Sequence, residues 1–294
     1  EVAADDVLAV RVIPEMPVRT SQIRNLEHAA ALAWPGTEHV WLDGWFLRFG
    51  DGHTRRANSA VPVEAWASPA TVPAIVDVPT GAVVTNDFAQ MTLDLSTEWT
   101  AYHRDGAPQL YPEHLRDEID SVAKRVYTEV NNGVYRCGFA GSQEAYDAAY
   151  DRLFTALDWL TERLSGQRYL VGDTITEADV RLFTTLARFD PVYHGHFKCN
   201  RSKLAEMPVL WAYARDLFQT PGFGDTVDFV QIKQHYYIVH TDINPTQVVP
   251  KGPDLSNWLT PHGREELGGR PFGDGTPPES TPEGEHMPDG PEAR

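Results

Sequence analysis

The sequence of 294 residues is 41% hydrophobic and 11% aromatic, which is sufficient for a buried core. Its formal net charge of −17 disfavours binding to nucleic acid or to an anionic membrane surface, and no run approaches the roughly 18 apolar residues of a membrane span. Two cysteines cannot build a disulfide framework, so the composition indicates a protein of the reducing cytoplasm.

The first quarter of the chain divides into a loose start and a short folded segment. Residues 1–17 show no hydrophobic period and are predicted to be flexible. Within residues 18–66, apolar side chains first recur every three or four positions and predict a helix that Pro35 ends. Asp43 and Gly44 then stand between two aromatic-rich runs, which is the strongest short signal for a β-hairpin.

Residues 67–105 are predicted to form a small strand–strand–helix unit. Two short apolar runs, residues 72–76 and 82–85, are joined by a turn that contains proline and glycine. Asn86 and Asp87 follow the second run and are suited to begin a helix. Because two short strands leave an open edge, we expect this sheet to be incomplete or to be covered by the preceding hairpin.

Residues 106–260 are predicted to be helical. Two apolar stripes with spacings of three and four residues run through the first half of this region, as expected for helices buried along one face. The first stripe consists of Leu115, Ile119, Val122, Val126 and Val130, and the second of Tyr146, Tyr150, Leu153, Leu157, Leu160 and Leu164. Residues 261–294 are rich in glycine, proline and glutamate and are predicted to be a disordered tail.

A helix start with a capping box is predicted in the middle of the helical region. Thr176 is suited to the N-cap position, and Asp179 follows three residues later. Such a pair satisfies backbone N–H groups at a helix start, so the predicted role of Asp179 is structural and not catalytic.

Three uncommon strings identify a family. Residues 131–150 contain NNGVYRCGF, residues 174–190 contain TITEAD, and residues 194–200 are HGHFKCN. Together they resemble the C-terminal half of the glutathionyl-hydroquinone reductases, also called xi-class glutathione transferases, over about residues 72–253. The resemblance implies an all-α glutathione transferase domain and, before it, the end of a thioredoxin-like domain.

A second resemblance covers the predicted helix and hairpin. Residues 18–62, with the string LDGWFLRFGDGHTRRANS, resemble the start of a Gcn5-type N-acetyltransferase domain. The glycine-rich loop that would hold the pyrophosphate of acetyl-CoA is not found in this segment. The segment therefore does not predict a complete acetyltransferase site.

The family resemblance implies a site for glutathione or another low-molecular-weight thiol. Val72 and Pro73 correspond to the family's Val-Pro pair, whose backbone pairs with a thiol peptide; their structural alternative is an ordinary strand start. Asn86 and Asp87 correspond to the turn that binds the γ-glutamyl end of glutathione. Phe88 replaces the usual hydroxyl residue there, so we expect weak glutathione binding or a different thiol.

The resemblance also implies a pocket for an aromatic substrate. Tyr135, Tyr236 and Tyr237 correspond to phenols that line it in the family. A phenol offers a flat apolar face and a hydroxyl donor for a quinone or hydroquinone oxygen. The alternative for all three is a half-buried position in the core.

Metal binding is not predicted. His194, His196 and Cys199 stand close together and are ligand-type residues, but no second cluster completes a tetrahedral set. We interpret them as buried structural residues.

No catalytic residue is predicted, because the family's nucleophile is absent. Family members use a thiolate in a Cys-Pro turn at a helix N-terminus, where the helix dipole lowers the pKa of the thiol. The sequence contains no Cys-Pro dipeptide, and its first cysteine is Cys137. We interpret Cys137 and Cys199 as buried, unreactive thiols.

These observations predict an α+β protein, a truncated thioredoxin-like ββα remnant joined to an all-α glutathione transferase C-terminal domain. The expected activity is thiol-dependent reduction of glutathionyl-hydroquinones, impaired by the missing cysteine. One alternative is a non-catalytic protein that binds aromatic ligands or forms a homodimer through its helical domain. Another is a hybrid or truncated chain without a maintained function. The expected partner is a small aromatic or quinone ligand.

Overall fold

A computed structural model describes residues 40–42, 45–47, 75–77, 82–85 and 87–278. The chain divides into two compact units, Glu1–Glu98 and Trp99–Arg294. The predictions for Val72, Pro73 and Asn86 fall outside the described residues.

The first unit contains two separate two-stranded antiparallel sheets among its described residues. Strand β1 (Val40–Leu42) pairs with β2 (Trp45–Leu47), in the register expected for a hairpin that turns at residues 43–44. Strand β3 (Ile75–Asp77) pairs with β4 (Ala82–Thr85), with an irregularity after Ile75. Among the described residues the later sheet has only these two strands, which agrees with the prediction of an incomplete sheet. The alternative, that the hairpin covers its edge, is not found, because the described strands of each pair bond only to each other.

Helix α1 (Phe88–Thr97) follows β4, and its start is set by Asp87. The Asp87 carboxylate accepts a hydrogen bond of 3.2 Å from the backbone N–H of Gln90, as an N-cap residue does. Met91 is buried on this helix. The predicted helix start after residue 86 is therefore confirmed.

The described part of the second unit, residues 99–278, consists of helices joined by turns and loops. Its α-helices are α2 (Arg116–Arg125), α3 (Asn132–Gly138), α4 (Gln143–Ser165), α5 (Glu177–Arg188), α6 (Pro208–Gln219) and α7 (Phe229–Val239). Two π-helical turns, Val126–Asn131 and Phe189–Tyr193, continue α2 into α3 and extend α5. In the described part of the chain, no helix has the length and apolar character needed to cross a membrane.

The core of this unit matches the predicted stripes. The stripe positions Ile119, Val122, Val126 and Val130 are buried, and the four leucines of the second stripe are fully buried on α4. Tyr150 is only half-buried, because its ring lies at the edge of α4 against Tyr146 and Phe154. The fold predicted for the helical domain is therefore confirmed, with Tyr150 at the margin of the core.

The predicted capping box at the start of α5 is present. Asp179 is completely buried, and one carboxylate oxygen accepts hydrogen bonds from the Thr176 N–H (2.8 Å) and hydroxyl (2.9 Å). The other oxygen accepts from the Leu170 N–H (2.8 Å) and the Tyr213 hydroxyl (2.7 Å). Burial raises the pKa of Asp179, while these hydrogen bonds act in the opposite direction.

The segment after α7 is ordered further than the sequence predicts. Residues 261–278, assigned to a disordered tail by composition, instead lie against the helical domain. Arg264 is buried, and its guanidinium donates to the carbonyl of Leu164 in the last turn of α4 and to those of Gln167 and Arg168 just after it. A cation at this position satisfies free carbonyls and complements the helix dipole.

Candidate functional site

Three tyrosine hydroxyls form a hydrogen-bonded chain inside the helical domain. The Tyr135 hydroxyl lies 2.5 Å from that of Tyr236, and the Tyr236 hydroxyl lies 2.8 Å from that of Tyr193. Tyr193 and Tyr236 are each 2% exposed, whereas Tyr135 is half-buried. We call Tyr135, Tyr193 and Tyr236 the tyrosine triad.

The two π-helical turns position the triad. The first, Val126–Asn131, changes the phase of the helix just before Tyr135, and such turns are frequent at functional sites. Asn131 fixes this turn against α5, since its amide donates to the Arg181 carbonyl (3.2 Å) and its carbonyl accepts from the Thr185 hydroxyl (2.9 Å).

The second π-helical turn ends at Tyr193. Asp190 within this turn accepts hydrogen bonds from the backbone N–H groups of Leu204 (2.5 Å) and Ala205 (3.1 Å). The third member of the triad, Tyr236, comes from α7. Each triad hydroxyl is therefore held by a different helical segment.

Counting protons gives the direction of the hydroxyl chain. Burial raises the pKa of Tyr193 and Tyr236, so both are protonated at neutral pH. Within the described part of the chain, the buried Tyr193 hydroxyl bonds only to Tyr236, and a buried O–H group must donate. Tyr193 therefore donates to Tyr236 and Tyr236 to Tyr135, which leaves the proton of Tyr135 free for a ligand.

An aromatic wall extends from the triad toward solvent. The Tyr135 ring lies 6.4 Å from Phe139 in a stacked arrangement and 5.3 Å from Phe197, measured between centroids. Phe139 is 48% exposed, which is unusual for phenylalanine. Gly138 permits this packing, because a Cβ atom there would stand 2.2 Å from the Phe197 ring.

A groove of about 660 Å³ runs beside this wall between α3 and α4. Its aromatic side is formed by Tyr135 and Phe139, and small side chains from α4 line the opposite side. Two arginines, Arg136 and Arg152, also line it. The residues that line the groove are Thr128, Glu129, Asn132, Gly133, Tyr135, Arg136, Phe139, Ala140, Gly141, Ala145, Ala148, Ala149 and Arg152.

Two buried histidines back the aromatic wall. His196 Nε2 lies 3.1 Å from His240 Nδ1, and the two rings stack with centroids 5.3 Å apart. Burial lowers the pKa of His196 to about 4 and that of His240 to about 3, with further lowering by Lys198 and by neighbouring histidines, respectively. Both rings are therefore neutral at pH 7, and one donates to the other.

This pair should make the domain sensitive to acid. In the unfolded chain these histidines protonate near pH 6.5, whereas in the folded domain they protonate only near pH 3–4. The free energy of unfolding is therefore highest above pH 6.5 and falls as the pH decreases from 6.5 toward 3–4. We expect the free energy of unfolding to fall by roughly 1–3 kcal/mol between pH 7 and 5. Urea unfolding at both pH values measures this decrease. The double variant His196→Asn/His240→Asn should show a smaller decrease in the free energy of unfolding than the parent chain. The exposed-residue variant His114→Asn serves as the control, and an identical pH dependence in all three proteins would contradict the assignment.

The predicted substrate-site residues are partly brought together. Tyr135 and Tyr236 are in direct contact, whereas Tyr237 points to another side of α7, where it is half-buried and its ring lies 4.5 Å from that of His196. The sequence interpretation did not include Tyr193 or Phe197. Phe197 lies within residues 194–200, where metal ligands were considered, and Tyr193 lies directly before them.

Of the predicted thiol-site residues, the structure describes only Asp87, which is exposed at the N-cap of α1. For metal binding, no group of three histidine, cysteine, aspartate or glutamate side chains converges within the described residues. The two cysteines are buried, as predicted.

Comparison with known proteins identifies the family of the helical domain. The family model "Glutathione S-transferase, C-terminal domain" matches residues 143–216. A glutathione transferase from Gordonia bronchialis is 82% identical, with 74% of this chain and 68% of that chain covered and a TM-score of 0.73. The fold and the helical motifs define the C-terminal domain of a glutathione transferase. The chain belongs to the glutathione transferase family.

The motifs also predicted a relationship to the glutathionyl-hydroquinone reductases, and this prediction is confirmed. The glutathionyl-hydroquinone reductase YqjG of Escherichia coli is 43% identical over 66% of this chain, and this chain spans 59% of that relative's length. The glutathione-bound structure of YqjG is similar to this one, with a TM-score of 0.65 and coverage of 68% of this chain and 64% of that one.

A different family matches the N-terminal part. The family model "Probable histone acetyltransferase Rv0428c C-terminal" matches residues 20–85. The Mycobacterium tuberculosis protein of that name is 58% identical over 67 residues, which is 23% of this chain and 22% of that protein. The predicted acetyltransferase-like resemblance is therefore confirmed, and the match extends through β4.

Proposed function

We propose that the helical domain binds the aromatic ring of a hydroquinone at the tyrosine triad, as part of a protein descended from the glutathionyl-hydroquinone reductases. The observation that carries this proposal is the hydroxyl chain, which ends in a free proton on Tyr135 beside an aromatic-lined groove. A hydroquinone or quinone oxygen is an acceptor for that proton, and the aromatic wall is a surface for the ring.

The charge of the groove supports a ligand that carries a negative group. Arg136 and Arg152 line the groove, whereas Glu129, which also lines it, is paired with Arg125 at 2.9 Å. Glutathione attached to a hydroquinone contributes two carboxylates and one ammonium group. Arginine binds carboxylates well because its guanidinium offers paired donors.

The thiol in this proposal is glutathione or another low-molecular-weight thiol. We assign β3, β4 and helix α1 to a thioredoxin-like remnant, although the acetyltransferase-like match also covers the two strands. In this remnant Val72, Pro73, Asn86 and Asp87 would contact the thiol. Asp87 supports this assignment, since its exposed carboxylate at the N-cap of α1 can accept from an ammonium group. Residues 18–66 are assigned as an acetyltransferase-like segment, and the flexible start predicted for residues 1–17 lies outside the described residues.

In the parent family, the reduction releases hydroquinone and joins two glutathione molecules in a disulfide. The absence of a Cys-Pro turn from this sequence favours a chain that binds the aromatic ligand without reducing its thioether efficiently. The second candidate, an oligomer formed through the helical domain, rests on the exposed alanines of α4 in the groove.

Removal of the ligand-facing hydroxyl should weaken binding. We expect Tyr135→Phe to raise the dissociation constant for hydroquinone about three- to tenfold, the effect of one lost hydrogen bond of 0.5–1.5 kcal/mol. Isothermal titration against the intact chain measures this change. Tyr150→Phe is the matched control, because it removes the hydroxyl of another half-buried tyrosine that lies outside the groove lining. Equal affinities for all three proteins would refute the proposed site.

A further inference from the structure

Two arginines that line the aromatic groove have no partner of their own. Arg136 on α3 and Arg152 on α4 are both exposed. In the described part of the chain, neither guanidinium takes part in an ion pair or in a hydrogen bond with another residue. An exposed arginine without a partner on the wall of a groove is available to a ligand that brings its own acceptors.

The acidic side chains nearby do not cancel this positive charge. The Glu129 carboxylate, which lines the groove, is paired with Arg125, and Arg125 does not itself line the groove. The Arg125 guanidinium also lies over the Trp159 ring, 4.0 Å from its centroid, which holds it beside Glu129. The acidic residues in the first turns of α4 are outside the groove lining, namely Glu144, Asp147 and Asp151. The lining therefore has an excess of positive charge, although the whole chain is acidic.

Arg136 belongs to the aromatic end of the groove. It directly follows Tyr135 and precedes Phe139 by three residues at the end of α3. Side chains three residues apart are neighbours on a helix, so the Arg136 guanidinium can reach a group that rests against the exposed Phe139 ring. The Phe139 ring is in turn stacked on that of Tyr135. A ligand ring on this wall therefore has both the Tyr135 hydroxyl and a positive charge within reach.

Arg152 lies farther along the groove. Only residues 139–142 connect α3 to α4, so the two helices run antiparallel and the start of α4 lies beside the end of α3. Three alanines near the start of α4 line the groove, namely Ala145, Ala148 and Ala149. Arg152 comes seven residues after Ala145, which is about 10 Å along a helix. The small alanines leave space for a flat ligand, and Arg152 remains available to a more distant carboxylate, such as one of an attached glutathione.

We propose that the groove selects hydroquinones whose ring itself carries a carboxylate, and that Arg136 binds this carboxylate. The inference rests on the proposed function and adds the class of ligand, a dihydroxybenzoate. The Tyr135 hydroxyl donates to a hydroxyl oxygen of the ring, and the Arg136 guanidinium donates to the carboxylate, whose geometry matches its paired N–H groups. A benzoate is ionised at neutral pH, whereas hydroquinone is uncharged, so only the benzoate gains from the positive charge of the groove.

The test measures dissociation constants of the full chain by isothermal titration with three ligands: hydroquinone, 2,5-dihydroxybenzoate and the uncharged 2,5-dihydroxybenzamide. We expect 2,5-dihydroxybenzoate to bind about three- to tenfold more tightly than hydroquinone, the effect of one partly exposed arginine–carboxylate pair. The benzamide should lack this advantage, because it has a similar shape without the charge. The advantage should also shrink in about 1 M sodium chloride, since salt screens exposed charges.

Variants identify the arginine that is responsible. Arg136→Gln should bind hydroquinone and 2,5-dihydroxybenzoate with nearly equal affinity, and Arg152→Gln should lose less of the preference than Arg136→Gln. Lys124→Gln is the control for net charge, because it removes an exposed cation of α2 outside the groove lining, and it should keep the preference. The preference is a ratio measured with two ligands on the same protein, so a partly unfolded variant still gives an interpretable result.

Three results would overturn the inference and leave the proposed function standing. They are binding of hydroquinone with no preference for the benzoate, an equal gain for the benzamide, and a preference that Arg136→Gln retains. If hydroquinone and 2,5-dihydroxybenzoate both fail to bind, the proposed function fails as well.

Discussion

Replacement of Asp179 by alanine is expected to lower the free energy of unfolding of the helical domain by about 3–5 kcal/mol. The buried carboxylate receives four hydrogen bonds that join the start of α5 to residue 170 and to α6. Alanine would leave these donors buried without an acceptor. A loss of this size is a large part of the total stability of a domain.

Urea unfolding followed by circular dichroism measures this loss. Thr176→Ala is the matched control, because it removes only the N-cap hydroxyl and should cost about 0.5–2 kcal/mol. Asp179→Asn should fall between the two, since the amide oxygen still accepts. A cost below 1 kcal/mol for Asp179→Ala would show that the carboxylate is not the junction between these elements.

The second large effect concerns activity. We expect the purified chain to turn over glutathionyl-hydroquinone with glutathione at no more than the rate of the reaction without protein. Thioether reduction needs a thiolate beside the bound ligand, and binding energy does not replace the nucleophile. Both cysteines are buried, and neither Cys137 nor Cys199 lines the groove.

The assay is a turnover measurement run beside a family member with an intact Cys-Pro turn. The variants Cys137→Ser and Cys199→Ser should be as inactive as the parent chain. Robust turnover that disappears with one of these substitutions would identify that cysteine as a replacement nucleophile. Turnover that survives both would show that the chemistry uses no protein thiol.

The regular parts of the fold could be predicted because their signals are local. Apolar side chains at three- and four-residue spacing predicted the buried faces of α2 and α4, and the Thr176–Asp179 pair predicted the start of α5. The two π-helical turns were not predicted, because hydrophobic spacing does not distinguish a wide turn from an ordinary one. The contacts of Arg264 were missed because they join residues about 100 positions apart.

Prediction of the site residues depended more on family resemblance than on hydrophobic pattern. Tyr135 and Tyr236 were selected from family strings, and their hydroxyl contact spans 101 residues. Tyr193 was missed because nothing in its local sequence distinguishes a pocket phenol from a core one. Only packing, which brings α3, α7 and the second π-helical turn together, reveals that the three hydroxyls form a chain.

The most direct test of the proposed aromatic site is a titration with hydroquinone followed by NMR of ring-labelled tyrosine. The resonances of Tyr135 and Tyr236 can be assigned from the corresponding phenylalanine variants. We expect these two resonances to shift together with added hydroquinone and the resonance of Tyr150 to stay unchanged. Saturable binding that shifts other tyrosines and leaves Tyr135 unaffected, or no binding at all, would contradict it.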